Sequence, residues 1–272
     1  MSAKFFILVL FFALSLSAKE RIISLSPSIA EIVFALKKGD SLVGVSSYSL
    51  YPKEVQKLPI IGGYTNPNLE KILALSPTLV VGQTFNIHTL EQLKRFHIKT
   101  LMLDLKTISS IKNSIKTLSD ELNSQEGEKL LNNIDKAIQN IKKTKTPHSV
   151  MIVYGLKEDL RSGIYIAGHN IFFEDIIHFT GNTNAYRATS TAQPVLNYEN
   201  VIALNPEQII ILHSRASEPD VDVKKALASW YKLPTDASKN KRISIIDEDY
   251  LHIPSHRVAQ TIKRLSSEMS YD

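Results

Sequence analysis

Two segments of this chain, 129 residues apart, follow one grammar: residues 68–81 read NLEKILALSPTLVV and residues 197–210 read NYENVIALNPEQII. Asn68/Asn197, Glu70/Glu199, Ala74/Ala203, Leu75/Leu204 and Pro77/Pro206 are identical, and apolar residues match between them. Each segment opens on an asparagine suited to cap a helix, with a glutamate in the first turn where the helix dipole favours negative charge. Each helix must stop before its proline and leads into an apolar run. A helix–proline–strand unit used twice predicts two related halves, each an α/β layer.

The rest of the chain fits that expectation. Apolar runs at 21–25, 42–45, 79–81 and 100–103 alternate with helical periods at 29–37, 69–75 and 89–96. After Pro147 the pattern restarts, with strands at 150–154, 208–212 and 243–246 and helices at 170–178, 198–204, 221–228 and 257–269. Strands separated by helices argue for mostly parallel sheets with helices on their faces. Between the halves, Ile111, Ile115, Leu118 and Leu122 share one helical face, and Leu130, Leu131, Ile134, Ile138 and Ile141 continue the 3.6-residue period. The spacing predicts helices over 108–122 and 126–143, the second about 27 Å long. The expected organisation is an N-terminal lobe over 19–123, a long bridging helix within 124–146 and a C-terminal lobe over 147–272, with a cleft between the lobes.

Residues 1–18, MSAKFFILVLFFALSLSA, have one lysine, an apolar run and a small-residue exit. That is the layout of a cleavable secretory signal, and the run is too short to span a bilayer; an uncleaved anchor is the alternative. The chain has no cysteine, which excludes disulfides, thiolate zinc, iron–sulfur clusters, a cysteine nucleophile and a lipidated cysteine. The formal charge of +5 is spread along the chain and does not argue for nucleic acid. A freely diffusing exported protein, monomeric and held in a periplasm, is the expectation.

Ligands of parallel α/β layers sit outside the carboxyl ends of strands. That rule selects Tyr48, Tyr64, Gln83 and Phe85 in the first half, and His169, Tyr186, Tyr250 and His252 in the second. Tyrosine offers a wide apolar face for a planar ligand and a hydroxyl for a hydrogen bond or a ferric ion; any one of these rings also reads as half-buried packing. Trp230, the one tryptophan, reads as packing. His252 and His256 are separated by Pro254, which denies them a shared helical face. No metal-ligand motif, P-loop, dinucleotide fingerprint or nucleophile elbow is present, so no catalytic residue and no cofactor are expected.

The segments RIISLSPSIAEIVFAL (21–36), LVGVSSYSLYP (42–52), NLEKILALSPTLVV (68–81), GHNIFFEDIIHFTGNTNAY (168–186) and, more weakly, DEDYLHIPSHR (247–257) resemble substrate-binding proteins of ABC importers for iron chelates, haem and vitamin B12. The resemblance implies capture of a metal chelate between two lobes joined by a rigid helix, delivery to an inner-membrane permease with its ATPase, and no turnover. It implies that Glu70 and Glu199 dock onto permease arginines; as residues alone they also read as dipole complements. It places Tyr64 where relatives carry an aromatic platform or an iron-ligating tyrosine. Cobalamin-type relatives line the cleft with tryptophans, whereas Tyr64, Gln83 and Tyr250 stand here, so a siderophore, haem or another chelate fits as well. A direct zinc or manganese binder and an exported hydrolase are the remaining readings.

Overall fold

The computed structural model describes residues 20–188, 192–214 and 221–270. The signal-like segment 1–18 therefore lies outside the described residues.

The N-terminal lobe is a four-stranded parallel sheet of order β2-β1-β3-β4, built from β1 (Ile22–Ser24), β2 (Leu42–Val45), β3 (Leu79–Gln83) and β4 (Lys99–Leu103). Helices α1 (Pro27–Ala35), α2 (Leu69–Ala74) and α3 (Ile87–Arg95) connect the strands. The start of α1 follows from Ser26-Pro27: the Ser26 hydroxyl accepts from the Ile29 amide at 3.3 Å, and Pro27 sits where no amide hydrogen is needed.

Two helices, α4 (Ile108–Glu121) and α5 (Gly127–Gln139), carry the chain to the second lobe. There β5 (Ser149–Tyr154), β6 (Ile164–Ile166), β7 (Thr183–Asn184), β8 (Val195–Leu196), β9 (Gln208–His213) and β10 (Ile243–Asp247) form a sheet of order β10-β9-β5-β6-β8, with β7 beside β5. β5, β9 and β10 run parallel, whereas β6 is antiparallel to β5 and to β8. Helices α6 (Phe172–Phe179), α7 (Tyr198–Leu204), α8 (Val223–Tyr231), α9 (Asp236–Lys239) and α10 (Val258–Met269) complete the lobe.

Strand alternation sorts the apolar residues into layers. Ile22, Val81, Val150, Ile152, Ile210 and Leu212 face one continuous core with α4, α5 and α10, so both lobes share it. Their neighbours Ile23 and Val80 face a smaller core under α2 and α3, and Met151, Val153, Ile209 and Ile211 face one that contains Trp230.

The helix expected to run to residue 143 ends at Gln139, capped by Asn140, and is about 20 Å long. A long-range bond explains the early stop: the Thr144 amide donates to the Thr180 carbonyl at 2.9 Å, which draws the segment away from the helix axis toward the end of α6. Lys142, Lys143 and Lys145 therefore lie beyond the helix, and Lys136 is the cation in its last turn.

Candidate ligand-binding site

The repeated unit lands in equivalent places in the two lobes. Asn68 caps α2, accepting from the Lys71 amide at 2.9 Å, and Asn197 caps α7, accepting from the Asn200 amide at 2.7 Å. Each helix feeds a strand flanked by two others, β3 between β1 and β4 and β9 between β5 and β10. Glu70 and Glu199 are exposed in the first turns, and among the described residues neither meets an intramolecular cation.

A cavity of about 300 Å³ opens between the lobes. Its walls come from the loops after β1 (Pro27), β2 (Tyr48, Leu50 and Tyr51), β5 (Gly155), β9 (Ser214) and β10 (Asp249, His252 and Ile253). Carboxyl ends of strands from both sheets thus converge on one space, as ligand sites of α/β layers require.

Of the residues selected from sequence, Tyr48 and His252 line this cavity. Tyr48 is among the most exposed aromatics and sits at φ 63°, a left-handed conformation uncommon for an aromatic residue. The loop is held beside it by the Ser47 amide, which donates to the Gly62 carbonyl at 2.8 Å. His252 lies 5.9 Å from the Tyr154 ring, whose hydroxyl is buried; burial pushes that phenol up, against a partial pull from Gln193.

Tyr64 and Phe85 form a second aromatic unit on the N-terminal lobe, edge to face at 5.8 Å with both rings exposed. Asn86 assembles it: its amide donates to the Tyr64 carbonyl at 2.7 Å while its oxygen accepts from the Gln83 amide at 2.9 Å. Gly62 makes the approach to Tyr64, because at φ 117° a Cβ would stand 2.9 Å from the Asn68 nitrogen. The Tyr64 loop is thereby tied to the cap of α2.

His169 and Tyr186 pair on the C-terminal lobe at 6.0 Å, away from the cavity wall. His169 Nδ1 meets Glu174, whose other oxygen accepts from the Asn170 amide at 2.8 Å. Tyr250 approaches Arg257 at 5.9 Å.

The site also contains residues that sequence patterns did not select: Glu31, Tyr51, Asp249 and Arg257. Glu31 on α1 is 2% exposed and Arg257, just before α10, is 5% exposed. Arg257 Nε donates to Glu31 Oε2 at 3.0 Å, its Nη2 donates to Oε1, and Ser255 Oγ donates to Oε2. Arg257 Nη1 donates to Asp249 Oδ1 at 3.0 Å, and the guanidinium lies 4.0 Å over the Tyr51 ring. Burial pushes the Glu31 carboxyl up, opposed by the donors Arg257 and Ser255. Asp249 follows β10 as Tyr250 and His252 do, so the strand-end rule reached its loop; nothing local marks Glu31, whose partner is 226 residues away.

Two α/β lobes sharing a core and enclosing a cleft at their strand ends define a bilobal ligand-capturing protein. The chain belongs to the Periplasmic binding protein family, whose profile matches residues 22–250. It is 30% identical over 247 residues to the vitamin B12-binding protein of Vibrio parahaemolyticus serotype O3:K6 (strain RIMD 2210633), covering 89% of this chain and 86% of that protein. It is similar to the periplasmic heme-binding protein RhuT from Roseiflexus sp. RS-1 in apo form, with a TM-score of 0.74 and 27% identity over 92% of this chain and 98% of that one. It shares its fold with the periplasmic heme-binding protein HutB of Vibrio cholerae, with a TM-score of 0.76 and 23% identity over 92% and 98% of the two chains. Among the described residues no helix is long and apolar enough to cross a membrane, and no group of three or more histidine and carboxylate side chains converges as a metal site.

Proposed function

We propose that this chain is the periplasmic substrate-binding component of an ABC importer, capturing a metal chelate of the siderophore, haem or cobalamin class. The observation that carries the reading is the interlobe cavity walled by strand-end loops of both sheets. Names of similar proteins, vitamin B12-binding and heme-binding, support the chelate class. Tyr48 and His252 contact the ligand at the cavity, Tyr64 and Phe85 extend the contact along the N-terminal lobe, and Gln83, His169, Tyr186 and Tyr250 complete the ligand set. Glu70 and Glu199 meet cations on the two halves of an inner-membrane permease that carries its ATPase. Opposite charges placed this way give orientation and association rate more than affinity. The protein works as a monomer and turns nothing over.

The test is thermal denaturation of the purified chain with ferric siderophores, haemin and cobalamin. A ligand at about 100 times its dissociation constant adds about 2.7 kcal/mol and raises the melting temperature. No shift with any chelate, together with hydrolysis of ester or phosphate probes, overturns the reading.

A further inference from the structure

We propose that Asp249 sets the charge class of the chelate, so that the cleft accepts neutral or cationic chelates and disfavours anionic ones. The inference rests on the binding-protein reading and deepens it.

Among the described residues that line the cavity, the charged ones are Glu31, Asp249 and Arg257, with a formal net charge of one negative when His252 is counted neutral. Arg257, the cation, is committed elsewhere. Its Nε and Nη2 face Glu31, its Nη1 faces Asp249, and one face of the guanidinium covers Tyr51. All three of its nitrogens already donate to carboxylates of the protein, so its charge is balanced within the wall. Glu31 is likewise consumed, by Arg257 and Ser255, and is buried. Asp249 differs: its side chain is 68% exposed, and one oxygen, Oδ1, takes the Arg257 bond. It is therefore the charge a ligand meets. Walls of low polarizability on either side, from Pro27, Leu50, Leu212 and Ile253, strengthen its field in the cleft.

The experiment uses two ladders in which charge changes while the scaffold stays. One is a ferric linear trihydroxamate with a free amine, with that amine acetylated and with it succinylated, giving +1, 0 and −1. The other is aquocobalamin, cyanocobalamin and a cobalamin monocarboxylate, with the same series of charges. Affinities are measured by titration calorimetry at low and at high salt. In whichever scaffold binds, the cationic member is expected to bind about tenfold more tightly than the anionic one at low salt. The gap shrinks as salt screens the exposed carboxylate. Asp249→Asn compresses the ladder, and Asp249→Lys inverts it, with melting temperatures reporting that both variants are folded. If Asp249→Lys does not fold, the Asp249→Asn ladder decides. Equal affinity across the wild-type ladder, or an Asp249→Asn ladder as steep as the wild type, overturns the proposal. Binding of haemin, anionic through its two propionates, more tightly than the cationic member of either ladder overturns charge selection and leaves the binding-protein reading standing. Binding of none of these chelates overturns the binding-protein reading itself and charge selection with it.

Discussion

Replacing Glu31 with alanine leaves the Arg257 guanidinium in a site where it is 5% exposed, with Asp249 as its remaining carboxylate partner. The loss includes two charge-assisted bonds from Arg257 and the hydroxyl bond from Ser255. Breaking a buried ion pair from one side costs about 3–5 kcal/mol, mostly because the surviving charge is stranded away from water. In a chain of this size each kcal/mol moves the melting temperature by about 2–4 °C, so the expected fall is roughly 6–20 °C. Arg257→Met strands the carboxylate instead and is expected to cost a similar amount. Removing both charges as Glu31→Met with Arg257→Met strands neither, so the double variant should be less destabilised than the sum of the singles by about 2 kcal/mol or more. Urea unfolding and calorimetry of the four proteins measure the cycle. Single variants within about 1 kcal/mol of wild type, or a double variant that equals the sum of the singles, refute the reading of Glu31 and Arg257 as a coupled buried pair.

Three further outcomes are expected. Burial, with Arg257 beside it, lowers the His256 pKa from 6.5 to about 4, so the unfolded chain takes up a proton there that the folded chain refuses. Its contribution is present above pH 6.5 and is lost as pH falls toward 4, by up to about 3 kcal/mol; urea midpoints against pH for wild type and His256→Gln should diverge in that window, and parallel curves count against the assignment. Glu70→Ala with Glu199→Ala should abolish uptake in cells while leaving the dissociation constant for the chelate unchanged; normal uptake removes both residues from docking. Tyr64→Ala should weaken chelate binding at least tenfold, about 1.4 kcal/mol, by titration calorimetry, and an unchanged affinity moves the contact off the Tyr64–Phe85 unit.

The parts of the fold that were legible in sequence are those set by short-range periodicity. β1, β2, α2 and α7 stand where alternation, caps and prolines put them. The interdigitated layers explain why: residues two apart in a strand must share a face, whatever surrounds them. β6, β7 and β8 escaped because no apolar run as long as the one around β1 marks them, and they are held by pairing to β5 and to each other: β6 and β7 pair with β5, and β8 pairs with β6. The early end of α5 escaped because the bond that draws the chain aside comes from Thr180, far along the sequence.

The site divides in the same way. Tyr48 and His252 were reachable because ligand sites of α/β layers draw on loops after parallel strands, and both line the cavity, whereas Phe85 after β3 does not, since the packing of the lobes decides which strand ends meet. Tyr51, Glu31 and Arg257 were not, because their roles arise from contacts between elements that no local spacing encodes. Glu31 reads from sequence as an ordinary helix residue, and only the approach of α1 to the start of α10 turns it into the buried partner of Arg257. By itself, then, the sequence determined two α/β lobes, their repeated helix–proline–strand unit, and which loops follow parallel strands. The tertiary structure alone decided that the lobes share one apolar core, and that an ion pair lining the cleft joins them. It also decided that Asp249 is an exposed carboxylate on the cavity wall, bonded through one oxygen to Arg257. Periodicity is a property of neighbours along the chain, whereas the burial and pairing of a charge depend on which distant residues pack around it.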